Sequence, residues 1–203
     1  MVEPFDVKSL KGSLVERMFG RVVENRWRGD LVEEIVVKAL APIGWTHCSA
    51  DWSSWDLQHD ESRLKMQVKQ TARQQTWGVT TDNRYGIAPA TGFYERNVWK
   101  KLPCPQRLSE VYLFAHHPIE GEAADHWNAR QWKFSVVAER ELPNAKSISS
   151  AHVTDRWKPV DIDKLQDKVN EVRVVVAPNG RVETAGVVAR PPLDDSEPGG
   201  VPS

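Results

Sequence analysis

The sequence has little cysteine and no long apolar segment. Its two cysteines, Cys48 and Cys104, are far apart and form no Cys-x-x-Cys pair, so neither a zinc site nor a disulfide framework is indicated. No stretch approaches the roughly 18–20 apolar residues that span a bilayer. The N-terminal residues MVEPFDVKSLKGS lack the hydrophobic core of a signal peptide. These absences predict a protein of the reducing cytoplasm with no membrane partner.

Two widespread catalytic motifs are also missing. The chain contains serine, histidine and aspartate but no Gly-x-Ser-x-Gly elbow, which is the motif of many acyl-transfer enzymes. It also lacks the Gly-x-x-x-x-Gly-Lys-Ser/Thr loop that cradles nucleotide phosphates. The sequence therefore favours neither acyl transfer nor nucleotide hydrolysis.

Positive charge is concentrated in residues 63–107, although the whole chain carries a net charge of −1. Nine Lys or Arg against two acidic residues give this segment a charge of +7, and its flanks together carry −8. Basic residues mixed with aromatic ones are typical of a surface that binds a polyanion. The alternative is a solvated loop whose charges the acidic flanks balance in space. The basic residues are Arg63, Lys65, Lys69, Arg73, Arg84, Arg96, Lys100, Lys101 and Arg107.

The first third of the chain predicts helices followed by a strand meander. Apolar residues at helical spacing predict a first helix over 8–27. Gly29-Asp30 interrupts it, and Asp30 is expected to cap a second helix that ends near Gly44. Residues 45–50, 54–58 and 63–71 have strand character, with a polar turn at 59–62. Helices followed by an antiparallel meander predict an α+β fold.

The rest of the chain predicts one domain over 1–189, with its core at 29–140. Residues 72–108 carry many Gly and Pro and are expected to form a long functional loop with one helical turn near 93–101. Residues 111–117 and 131–140 predict strands, the first of them buried. A C-terminal helix over 161–170 precedes a hairpin, 172–177 and 181–188, around Pro178-Asn179-Gly180; together they fill 161–189. The Pro/Gly/acidic tail, 190–203, has the composition of disorder.

The most informative pattern is Gln67-Val68-Lys69 on the third predicted strand. Alternation places Leu64, Met66 and Val68 on one buried face, and Gln67 and Lys69 on the other. The alternative interpretation is an edge strand whose wet polar face discourages aggregation. Gln-x-Lys also occurs at 131–133, with Asp125 too close upstream for a full strand and turn, and at 166–168, on a predicted helix.

Asp56, Gln67 and Lys69, with ten residues between the first two, resemble the PD-(D/E)XK nuclease superfamily, the restriction-endonuclease-like fold. Glutamine in place of the usual acidic residue is similar to the Mrr-like branch, whose motif is Asp, then Gln-x-Lys. Glu33, Val36, Leu40 and Gly44 match the spacing of that superfamily's preceding helix. The resemblance covers residues 29–71 well and the later strands only weakly. It implies an α/β/α sandwich-like core, in which a central mixed sheet is flanked by helices.

The resemblance implies a metal-dependent DNA endonuclease that uses Mg²⁺ or Mn²⁺. Asp56 would be the principal ligand, assisted by the Gln67 amide oxygen, the Val68 carbonyl and Glu33. Lys69 would position the attacking water or neutralise charge at phosphorus. We expect the DNA backbone to contact Gln70, Arg73, Arg84, Lys100 and Lys101.

Several alternatives stay open at the level of sequence. Loss of one carboxylate at position 67 weakens the metal site, so the same fold could serve as a catalytically inactive module that binds nucleic acid or another partner. RNA or branched DNA could replace duplex DNA as substrate. A homodimer is compatible with cutting two strands, although no residue pattern demands one. His47 is expected to be a polar partner on a half-exposed strand.

Overall fold

The computed structural model describes residues 6–18, 20–48, 54–95 and 98–176, and of residues 17, 18 and 95 the backbone only. Within these ranges lie four α-helices and eleven strands. The helices are α1 (Val7–Met18), α2 (Asn25–Leu40), α3 (Ser150–Arg156) and α4 (Leu165–Val176). The strands are β1 (Trp45–His47), β2 (Leu57–His59), β3 (Lys65–Ala72), β4 (Gln74–Gln75), β5 (Gly78–Val79), β6 (Arg84–Gly86), β7 (Ala90–Glu95), β8 (Val98–Gln106), β9 (Val111–His117), β10 (Lys133–Ala138) and β11 (Ser147–Ser149).

A five-stranded sheet in the order β1-β2-β3-β9-β10 forms the centre of the fold. The meander β1-β2-β3 is antiparallel, β9 lies parallel to β3, and β10 returns antiparallel to β9. The sheet is therefore mixed, and helices flank it. The expected α+β class with a central mixed sheet is confirmed.

One face of the sheet is covered by α2 and α4. Val32, Val36 and Leu40 recur every fourth residue along α2 and are fully buried, because this spacing forms one stripe on a helix. They pack on the sheet against Met66 and Val68 of β3. No described helix has both the length and the apolar composition needed to cross a membrane.

The opposite face is covered by α3 and by the two-stranded sheet β6-β11. Tyr85 of β6 and Ile148 of β11 are paired neighbours and pack with Tyr112 and Phe114 of β9. The expectation of a long loop over 72–108 is thus wrong, because β4 to β8 lie within it, and residues 93–95 and 98–101 form strand rather than a helical turn. β4, β5 and β6 have two or three residues each, and β8 is exposed along nearly all of its nine residues, so pairing and single buried side chains determine these strands instead of a hydrophobic run.

The first two helices differ from the sequence-based expectation. The structure ends α1 at Met18, and α2 begins at Asn25 and continues through Gly29-Asp30. Asp30 is therefore inside a helix rather than capping one. The reason is Arg28, which is buried in the first turn of α2 and hydrogen-bonds to Val23, so tertiary contacts fix the helix start a turn earlier.

The C-terminal helix extends beyond its expected end. Residues 172–176 continue α4 instead of beginning a hairpin strand. Leu165, Val169 and Val176 are buried against the sheet, with Val172 beside them, at spacings of four, three and four residues. Burial at this helical period outweighs the strand preference of the valine run. The remainder of the hairpin and the tail lie outside the described residues.

Candidate active site

Asp56 and Gln67 meet on one face of the β2–β3 pair. Asp56 precedes β2, and its backbone N–H donates to the Met66 carbonyl at 3.0 Å, so Asp56 lies beside β3. The Gln67 amide donates to Asp56 Oδ2 at 2.6 Å. The Val68 backbone N–H donates to the same oxygen, also at 2.6 Å. Both bonds fall on Oδ2, and neither uses Oδ1 or the Gln67 amide oxygen.

Lys69 shares the face of β3 on which Gln67 lies. Residues two apart on a strand point to the same side, and both side chains line one cleft of about 380 Å³. Burial raises the pKa of the Asp56 carboxyl, and the positive charge of Lys69 offsets part of that rise. The expected alignment of aspartate, glutamine and lysine is therefore present in the folded chain.

Glu33 approaches the same region from α2. Its carboxylate pairs with His47 at the end of β1, with Nε2 and Oε2 3.2 Å apart. The negative charge of Asp56 raises the pKa of Glu33, which places the two carboxylates within electrostatic reach of each other. His47 therefore has a polar partner, as its strand position predicted. That partner is Glu33, a candidate site residue.

Burial controls the protonation of both carboxylates. Desolvation is the largest influence on the pKa of Asp56 and raises it, against the lowering effects of the Val68 N–H, Lys69 and Gln67. Desolvation also raises the pKa of Glu33, and the Asp56 charge raises it further. Two partly buried carboxylates that resist ionisation form a site that a cation would stabilise.

The oxygen donors fit a hard divalent cation such as Mg²⁺. Asp56 Oδ1 and the Gln67 amide oxygen are a charged and a neutral oxygen ligand, and Glu33 adds a second negative charge nearby. The Val68 carbonyl belongs to the same strand edge as its N–H, which faces Asp56. Among the described residues no three His, Cys, Asp or Glu side chains are grouped to hold a metal.

A two-stranded ribbon forms the far wall of the cleft. Strands β7 and β8 pair only with each other among the described strands, and Tyr94 and Trp99 line the cleft opposite Gln67 and Lys69. Arg107, just after β8, fixes the base of the ribbon, since its guanidinium donates to the Ile87 carbonyl at 2.7 Å and to the Pro143 carbonyl at 2.7 Å. These hydrogen bonds tie the base of the ribbon to the segments at Ile87 and Pro143.

The five residues expected to contact DNA do not form one surface. Gln70 lies on the opposite face of β3 from Lys69, where its amide oxygen accepts from Arg28 Nε at 2.7 Å. Arg73 pairs with Glu120 at 2.6 Å. Arg84, on β6, donates to Ser147 Oγ at 3.0 and 3.2 Å. Lys100 and Lys101 lie exposed on β8, in the ribbon that walls the cleft.

The two other Gln-x-Lys segments are structural. Gln131 bonds to the Asp125 backbone N–H at 2.8 Å, and Lys133 pairs with Asp161. Lys168 is on α4 and pairs with Glu171. The aromatic pair on the ribbon, Tyr94 and Trp99, belongs to the segment 63–107, in which basic and aromatic residues are mixed.

Comparison with known proteins gives one distant structural match. No protein-family model and no curated protein matches the chain. Among solved structures, the chain is similar to a bacterial homing endonuclease, with 15% sequence identity, a TM-score of 0.42, and coverage of 78% of this chain and 99% of that one. At such low identity and score, function has to be inferred from the site alone.

Proposed function

We propose that this protein is a metal-dependent endonuclease that hydrolyses phosphodiester bonds in DNA. The observation that carries the proposal is the contact of Asp56 with Gln67 and Val68, next to the cleft that Gln67 and Lys69 line. Hydrolysis of a phosphodiester requires a positive group and a carboxylate fixed in position. The Lys69 ammonium group and the Asp56 carboxylate supply them at one strand pair. The three residues also match the Mrr-like pattern of Asp followed by Gln-x-Lys.

Asp56, the Gln67 amide oxygen and the Val68 carbonyl would hold one Mg²⁺ or Mn²⁺ ion, with Glu33 as a second negative charge. Such an ion supplies Lewis-acid stabilisation of phosphoryl charge and a more acidic water. Gln67 has a second role here, because its amide N–H fixes the Asp56 carboxylate and so orients Oδ1 toward the cation. His47 does the same for Glu33.

Lys69 acts on the phosphate itself. Its ammonium group donates hydrogen bonds to a non-bridging oxygen, where negative charge builds up in the pentacovalent transition state. A water oxygen forms the new bond to phosphorus as the bond to the 3′ oxygen breaks. The water loses its proton to solvent and the 3′ oxygen gains one, which leaves a 5′-phosphate and a 3′-hydroxyl.

The test is cleavage of plasmid and linear DNA in Mg²⁺ and in Mn²⁺ by three variants. We expect Asp56→Asn and Lys69→Ala each to lower the rate at least about 100-fold, since each removes a charge that acts in the transition state. Lys168→Ala is the matched control, because it removes the lysine of a Gln-x-Lys segment on α4 and should cut normally. Cleavage by Lys69→Ala at the wild-type rate would refute the proposal.

A non-catalytic nucleic-acid-binding module is the second candidate, and one observation favours it. Asp56 Oδ2 already accepts two short hydrogen bonds within the protein, and Gln67 supplies no charge to a metal. A module of this kind would bind DNA equally well in EDTA and in Mg²⁺ and would release no product. Parallel assays on duplex DNA, branched DNA and RNA distinguish the substrate classes.

A further inference from the structure

We propose that the β7–β8 ribbon holds an unpaired nucleobase against Trp99, so that the substrate is DNA with an extrahelical or single-stranded nucleotide next to the bond that is cut. This inference rests on the proposed function, because it places the base in the cleft that Gln67 and Lys69 also line. It adds a base-binding subsite to the phosphate chemistry.

The ribbon presents two aromatic rings to the cleft. Tyr94 and Trp99 are direct cross-strand partners, and their rings meet edge to face with centroids 5.1 Å apart. Tyr94 is nevertheless 42% exposed and Trp99 50% exposed. Large rings exposed on a cleft wall leave apolar surface in water, which stacking with a base would cover.

Gly92 holds the Trp99 ring in place. It is buried, and a Cβ at this position would lie 2.5 Å from Trp99 Cζ2, 2.8 Å from Trp99 Cε2 and 2.5 Å from the Lys100 carbonyl oxygen. The indole therefore lies directly on the backbone of the opposite strand. One side of the ring is supported before any ligand arrives, so stacking on the other side costs little ordering of the side chain.

A positive charge lies on the same face of the ribbon as the two aromatic rings and suits the phosphate of a nucleotide. Lys101 is the cross-strand partner of Gly92, and paired residues of an antiparallel ribbon point to one side. Trp99, Tyr94 and Lys101 consequently share one face, with an ammonium group beside the rings where a sugar–phosphate would run. A cleft of about 380 Å³ is near the lower end of ligand-site volumes and is large enough for a single base.

The experiment measures binding in EDTA, where no cleavage occurs, by anisotropy of labelled oligonucleotides. Three probes are compared: a fully paired duplex, the same duplex with one extra adenosine, and the same duplex with an abasic sugar in place of that adenosine. We expect wild-type protein to bind the adenosine bulge about 5- to 100-fold more tightly than the abasic bulge, which is the range for one stacked base. Equal affinities would overturn the inference.

Substitutions at Trp99 test whether the preference for the adenosine bulge depends on this residue. Trp99→Ala should lose the preference for the adenosine bulge while its affinity for the paired duplex changes less than about threefold; Trp99→Phe should keep part of it. Trp77→Ala is the matched control, because Trp77 is 73% exposed in the same basic segment yet does not line the cleft. A preference that survives in Trp99→Ala, or a uniform loss on all three probes, would contradict the assignment.

Quenching of 2-aminopurine at the bulge position provides a second measurement on wild-type protein. Quenching on binding is expected if the base stacks, and an unchanged or rising signal opposes the inference. The nuclease proposal and the base-subsite proposal can be refuted independently of each other. Cleavage without a bulge preference eliminates only the base subsite, whereas a Trp99-dependent preference in a protein that never cuts DNA eliminates only the nuclease.

Discussion

At the scale of single residues, the charge of Asp56 is the feature with the clearest consequence. Its carboxyl is held by two hydrogen bonds and faces Lys69, yet burial still raises its pKa. A carboxyl whose folded pKa exceeds its unfolded value stabilises the fold only while protonated, and that stabilisation is lost as pH rises through the folded pKa. Without a cation, ionised Asp56 therefore opposes folding at neutral pH.

We predict that Asp56→Asn raises the melting temperature in EDTA at pH 8, and that the difference from wild type shrinks as pH falls below the folded pKa of Asp56. The amide oxygen can still accept from Gln67 and Val68, so the site keeps its shape. Added Mg²⁺ or Mn²⁺ should stabilise wild type but not the variant. Thermal unfolding over pH 4–8 measures both effects.

Asp155→Asn is the control for this prediction, since it removes a carboxylate on α3 whose side chain is 90% exposed. It should change the melting temperature little at any pH. A variant Asp56→Asn that is less stable than wild type at pH 8 in EDTA would mean that the attraction of Lys69 outweighs desolvation.

Strand alternation places Gln70 on the face of β3 away from the cleft, and buried Arg28 engages it there. The guanidinium is 1% exposed and donates to the side chains of Gln70, Gln75 and Asn25 and to the Val23 carbonyl. Burial lowers the pKa of Arg28 to about 10, so the group stays charged at neutral pH and needs these oxygens. Gln70 is therefore engaged in supporting a buried charge.

At the scale of elements, the ribbon depends on glycine at position 92. We predict that Gly92→Ala displaces the Trp99 ring and disturbs the β7–β8 pairing, because the new methyl group would lie 2.5 Å from both the indole and a backbone oxygen. The loss of bulge preference should match that of Trp99→Ala. Among the described strands β7 and β8 pair with none of the central sheet, so the main unfolding transition should shift by less than about 1 kcal/mol.

Gly86→Ala provides a comparison for this prediction. Gly86 also lines the cleft, but a Cβ there meets no heavy atom within 4 Å. Its binding preferences should match wild type. Normal base preference in Gly92→Ala, measured with the same three probes, would show that the ring does not need its backbone support.

The elements themselves were predictable to different degrees. β3, β9 and β10 were expected because each alternates or buries a continuous apolar run. The start of α2 and the end of α4 were not, since buried Arg28 and the packing of Val172 and Val176 set them. Strands over 72–108 were missed because most of them are either very short or exposed. Such strands show almost no alternation of apolar and polar residues in the sequence.

At the scale of the whole molecule, a buried histidine cluster makes the fold sensitive to acid. His117 and His126 are fully buried, with ring centroids 4.8 Å apart and both rings against Trp132. Burial lowers the pKa of His126 to about 3 and also lowers that of His117. Histidines that are neutral in the fold gain protons on unfolding, so stability falls as pH drops below the unfolded pKa of about 6.5.

We predict that His126 alone costs about 2 kcal/mol of unfolding free energy between pH 7 and pH 5. Urea unfolding of wild type and His126→Gln at both pH values measures it, because the glutamine oxygen can still accept from the Val23 N–H. The variant should lose about that much of the pH dependence. His152→Gln, at an exposed position on α3, should retain all of it, and an unchanged slope in His126→Gln would disprove the assignment.

The sequence by itself determined the α+β class, the meander and the alignment of Asp56 with Gln67 and Lys69. The class depends on helical and strand periods, and the shared face of Gln67 and Lys69 on a period of two, which local pattern carries; the short turn between two strands brings Asp56 beside them. Only the tertiary structure decided that Glu33 meets His47, that Gln70 turns to Arg28, and that the aromatic ribbon faces Lys69. These contacts join residues far apart in the chain, and burial and hydrogen-bond satisfaction between elements determine them.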